Sequence, residues 1–89
     1  MLSFSDFCKN VCKAVDYDHS KDYNDVIAVW GDIRAVVDFV YDDNANEVYF
    51  IRIDFKEREI LQIPYNYGCH ETSSGWLWSK IATLMHEAG

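Results

Sequence analysis

From Ser3 onward apolar residues recur at three- and four-residue intervals. Phe4, Phe7, Cys8, Val11, Ala14 and Val15 form one stripe, with Lys9 and Lys13 on the other side. That period predicts a helix over 3–15, and Ser3 with Asp6 supplies the S-x-x-D form of a weak capping box. Over 25–65 the period changes to two, and β-branched and aromatic residues dominate. This stretch divides into four strands, 25–30, 33–41, 47–55 and 60–65. The breaks are Gly31-Asp32, the polar DDNAN run and the charged KERE run. The helical period returns over 74–87, where Leu77, Ile81, Leu84 and Met85 share a face with Ala88 behind Ser73 or Ser74 as N-cap. The predicted order is α-β-β-β-β-α, without repeats or low-complexity segments.

Pairing the strands tests that order. A two-residue turn at Gly31-Asp32 sets Trp30 opposite Ile33, Ala28 opposite Ala35 and Val26 opposite Val37. Tyr41 opposite Tyr49 brings Phe39 to Ile51 and Val37 to Ile53. Phe55 opposite Leu61 then adds Ile63 and Tyr65 to the same layer. All three hairpins agree on one apolar face, which predicts an antiparallel meander with both helices on that face. The fold class is therefore a two-layer α+β domain spanning 1–89. Pro64 lacks an N–H and belongs on an edge strand. The opposite face mixes Ile27, Val36, Val40, Phe50 and Ile60 with Arg34, Asp38, Arg52 and Asp54. There Asp38 is expected opposite Arg52, and Val40 opposite Phe50. The Val40/Phe50 patch is a candidate homodimer or adaptor surface.

Composition narrows the class. A chain of 89 residues is one domain near the lower limit for a self-sufficient core. Its 49% apolar content is far too high for a disordered tail. No run of eighteen apolar residues exists to cross a membrane, and Asp6, Lys9 and Lys13 interrupt any secretory leader. With 15 acidic and 8 basic residues the net charge is −7, which repels phosphate backbones and anionic lipid. Direct nucleic-acid or membrane binding is not expected; a basic protein partner is. Three cysteines without a leader read as reduced thiols of a cytoplasmic protein.

The densest candidate chemistry is DYDHSKDYND at 16–25. Asp16, Asp18, Ser20 and Asp22 alternate like ligands 1, 3, 5 and 7 of a calcium loop. Such a loop needs glycine at position 6 and glutamate at position 12, where this chain has Lys21 and Ile27. Cys8, Cys12, Cys69 and His70 suggest zinc, but no C-x2-C knuckle is present, and buried thiols explain the helix pair better. A Cys69 nucleophile lacks an oxyanion turn and sits among acids that raise a thiol's pKa. No cofactor, metal or catalytic residue is therefore assigned.

The meander gives the acids a common location. Alternate connections of antiparallel strands lie at one end. That end collects Asp16, Asp18, Asp22, Asp25, Asp42, Asp43, Glu47 and Glu71, with Tyr23, Tyr67 and, on the expected start of the last helix, Trp76. Tyrosine and tryptophan with a carboxylate rim form a protein-docking pattern. The expected partner is a nucleic-acid enzyme with a basic cleft. The chain would then be an inhibitor, such as a nuclease-toxin immunity protein or a phage-type DNA mimic against restriction or CRISPR machinery. The alternative is the dimeric adaptor.

Overall fold

A computed structural model describes residues 2–16, 22–65 and 74–88. Helix α1 (Phe4–Asp16) precedes strands β1 (Val26–Trp30), β2 (Ile33–Tyr41), β3 (Glu47–Phe55) and β4 (Arg58–Pro64), and helix α2 (Gly75–Ala88) follows. The strands form one antiparallel sheet in the order β1-β2-β3-β4. This is the α+β meander that the periodicity predicts. Helix α1 begins where Ser3 Oγ accepts the Asp6 N–H at 3.0 Å, satisfying one of the donors orphaned at a helix start. Its stripe buries Phe7, Val11 and Val15 against Ile33, Val37, Ile51, Ile53 and Ile63 of the sheet and Leu77 and Ile81 of α2.

Two hairpins are tighter than expected. Tyr41 pairs with Glu47 rather than Tyr49, so Phe39 faces Tyr49, Val37 faces Ile51 and Ala35 faces Ile53. The cause is Asp42. Its Oδ1 accepts the N–H groups of Asn44 and Asn46 at 2.8 and 2.9 Å, and its own N–H donates to the Asn46 carbonyl. A three-residue loop, 43–45, then closes with Ala45 at φ 62°. Because the shift is two residues, every side chain keeps its face. The β3–β4 turn uses only Lys56 and Glu57, at φ 51° and 65°, so β4 begins at Arg58 opposite Phe55, two residues earlier than the charge run suggested. Asp38 faces Phe50 and Val40 faces Val48, in place of the expected Arg52 and Phe50.

Two bulges reverse individual side chains. Val26 pairs with Val36 and Ala28 with Ala35, leaving Ile27 as an extra residue. Ile27 accordingly packs against the core while Val26 is exposed, the reverse of the expected alternation. Asp54 pairs with Glu59 and Ile53 with Leu61, so Ile60 bulges and also packs against the core rather than on the outer face.

The outer face is less open than its pattern suggests. Val36 and Phe50 are only 1% and 6% exposed although neither belongs to the helix-covered cluster. Phe50 is therefore buried within the monomer, while Val40 and its ladder partner Val48 are exposed. Arg52 organises this face. It donates to Asp54 through Nε and Nη2 at 2.9 and 3.0 Å and to Asp38 Oδ2 through Nη1 at 2.7 Å. Those bonds, the Asp54 pair foremost, raise the guanidinium pKa. Asp38 reaches Arg52 diagonally, so the expected ion pair forms in a different register.

Candidate acidic docking site

Two segments build the acidic end. Residues 22–25 close on themselves: the Asp25 N–H donates to the Asp22 carbonyl at 3.0 Å, and Asp25 Oδ2 accepts the Asp22 N–H at 2.8 Å. Asn24 tolerates φ 70° there, since a short polar side chain suits the left-handed region. Val37 then fixes the turn to β2, accepting from the Asn24 N–H at 2.8 Å and donating to the Asp25 carbonyl at 2.9 Å. The second segment is the 42–46 loop with the strand residues flanking it. Neither 22–25 nor 42–49 contains Lys or Arg.

Between the segments lies an aromatic cluster centred on Phe39. Its ring centroid is 5.2 Å from Tyr23, 5.3 Å from Tyr41 and 5.4 Å from Tyr49; the first two contacts are edge-on. Such pairs fix ring orientation and add about 0.5–1.5 kcal/mol beyond burial. Tyr23 and Tyr41 stay 49% and 64% exposed, so the cluster presents ring surface to solvent. Tyr49 donates its hydroxyl to Glu47 Oε2 at 2.7 Å. That bond, reinforced by the charges of Glu47 and Asp22, raises the phenol pKa.

The carboxylates divide by role. Asp25 and Asp42 hold turns, and Glu47 holds Tyr49. Asp42 is kept below the ordinary carboxylate range, first by the Asn46 N–H and then by the Asn44 N–H and the Asn46 side chain, against a smaller opposing effect of desolvation. Among the described residues, nothing donates a hydrogen bond to the side chains of Asp22 or Asp43, which are exposed. Asp16 ends α1 and is partly buried. Asp18, Tyr67 and Glu71 lie outside the described residues, as do Ser20, Lys21, Cys69 and His70 of the metal and thiol readings.

Trp76 is placed elsewhere. It lies on the first turn of α2, two residues before Trp78, whose ring is 5.9 Å from Phe4; Phe4 is in turn 4.9 Å from Trp30 at the end of β1. The first turns of α2 therefore sit by the β1–β2 turn, about 25 Å along the strands from the 42–46 loop. The expectation that α2 starts at the acidic end is corrected by this contact chain.

Cysteine chemistry also departs from expectation. Cys12 is disulfide-bonded, and Cys8 is a free, buried thiol. The remaining cysteine, Cys69, lies outside the described residues. Burial pushes the Cys8 thiol up to about 11, which suppresses its reactivity. No group of three or more metal-ligating side chains occurs among the described residues.

Sequence reasoning placed Asp22, Tyr23, Asp25, Asp42, Asp43 and Glu47 at one end, where the structure also has them. It missed Phe39, Tyr41 and Tyr49 as part of that surface. The signal was present as these three aromatics at the flanks of the polar loop, but they read as core. No protein-family model matches the chain, and no curated protein or solved structure matches it either.

Proposed function

We propose that this chain is a non-enzymatic binding protein that places its acidic, tyrosine-bearing end in the basic nucleic-acid cleft of a partner enzyme. One observation carries the reading: the exposed rings of Tyr23 and Tyr41 stand beside Asp22 and Asp43, whose carboxylates accept no described internal hydrogen bond. A guanidinium or ammonium group gains from both features, through charge-assisted bonds to carboxylate and cation–π contact with the ring face. A cleft built for phosphates and stacked bases offers such cations in quantity. The class of protein is an inhibitor, of the nuclease-immunity or phage DNA-mimic kind.

Affinity capture from the native host tests this when two baits run in parallel, the parent chain and Asp22→Lys/Asp43→Lys. The reversal avoids the carboxylates that hold turns, so both baits fold alike. The expected result is a basic nucleic-acid enzyme on the parent, lost from the reversed bait and released by salt. An equal yield of the same partner on both baits would refute the assignment.

A further inference from the structure

The sheet has two unlike edges. β4 carries Arg58, Glu59, Gln62 and Pro64, which are devices that discourage a further strand. β1 is Val-Ile-Ala-Val-Trp, with no charge and no proline, and only its Ile27 bulge disturbs it. Trp30 and Ile33 flank a two-residue loop and so form a hydrogen-bonded pair; alternation then makes Val29 and Arg34 a non-bonded pair. The N–H and C=O of Val29 consequently point away from β2, toward the open side of the edge. The Val29 side chain is 48% exposed, and a cleft of about 380 Å³ beside it is lined by Leu2, Val29, Trp30 and Gly31.

We propose that β1 pairs antiparallel with β1 of a second copy of this chain, on a two-fold axis through Val29, to make a continuous eight-stranded sheet. The axis lets the two Val29 residues exchange both backbone hydrogen bonds, which satisfies the groups the edge leaves open. The same register sets Ala28 opposite Trp30 of the second copy. Both residues lie on the helix-covered side, because they pair with Ala35 and Ile33. Charge selects a second copy with this orientation. The contacting strand is neutral, and antiparallel pairing sends the two acidic ends, each with Asp22, Asp25 and the 42–46 loop, to opposite poles. An added strand bearing several cations would instead gain nothing from so neutral an edge.

Sedimentation equilibrium across micromolar to millimolar protein reads the association directly. The parent should move from monomer toward dimer mass. Val29→Pro removes only the outward N–H, leaves the β2 ladder intact and should weaken dimerisation by about tenfold or more. Val29→Thr, a β-branched control with the N–H restored, should dimerise like the parent. Amide exchange at Val29 in the parent gives a second reading that needs no variant, and should slow as concentration rises. A parent that stays monomeric throughout, dimerisation of a folded Val29→Pro at parental strength, or concentration-independent exchange at Val29 would each overturn the proposal.

Discussion

Ala45 holds φ 62°, a region where an L side chain costs about 1–2 kcal/mol and glycine costs nothing comparable. Ala45→Gly should therefore raise stability by about 1 kcal/mol in a denaturant melt. Lys56 and Glu57, at φ 51° and 65°, occupy positions where Asn-Gly is the favoured pair, and the double replacement should stabilise as well. Asp42 gives a pH test. Its native carboxyl titrates below the ordinary value because the loop N–H groups bind its charged form. Its contribution is thus present above the unfolded carboxyl pKa and is lost as pH falls through the native one. Asp42→Asn should flatten that part of the acid limb of a stability–pH profile. The cysteines give a covalent test: with Cys12 in a disulfide, the denatured, unreduced chain should titrate fewer thiols than the reduced chain, which has three. Three thiols before reduction would contradict the disulfide. An odd number of cysteines argued for reduced thiols; bond formation depends on which residues the fold brings together, which spacing does not encode.

At the scale of elements, both helices and all four strands were readable because each rests on a sustained period. The register was readable only to within two residues. Tyr41–Glu47 pairing depends on Asp42 bridging its own loop, and Phe55–Arg58 pairing on two non-glycine residues accepting positive φ, neither of which hydrophobic alternation reports. The bulges at Ile27 and Ile60 were hidden for the same reason, since one extra residue leaves the composition of a strand unchanged. Core predictions survive these shifts. Ile53 is fully buried beneath the helices, and Ile53→Ala should cost about 2–5 kcal/mol by chemical denaturation. Phe50 is the informative contrast. Alternation alone puts it on the outer face, where a lysine would be tolerated; its burial beside Asp38 and Pro64 in the ladder means that Phe50→Lys should lower the melting temperature markedly. A variant that melts like the parent would show that the residue is solvent-facing.

Over the whole molecule, two unlike aromatic surfaces lie at opposite ends of the strands, and the one beside the 42–46 loop is ringed by carboxylates. The acidic end carries Asp22, Asp43, Tyr23 and Tyr41, and the far end carries the Phe4, Trp30 and Trp78 cluster. The first was readable because antiparallel topology assigns loops to ends. Trp76 was misplaced because a helix following a long connection can begin at either end, and no local pattern decides which. The division of carboxylates into turn-holding and uncommitted groups was also out of reach, since it requires hydrogen-bond geometry. That division sharpens the functional test. On the partner recovered by capture, a labelled nucleic acid can be bound first and the chain titrated in, with fluorescence anisotropy as the readout. Displacement at one equivalent by the parent, weakened about tenfold or more by Asp22→Lys/Asp43→Lys, is the result predicted for an acidic end that occupies the nucleic-acid cleft. A ternary complex, with anisotropy unchanged or increased while the chain binds, would contradict it.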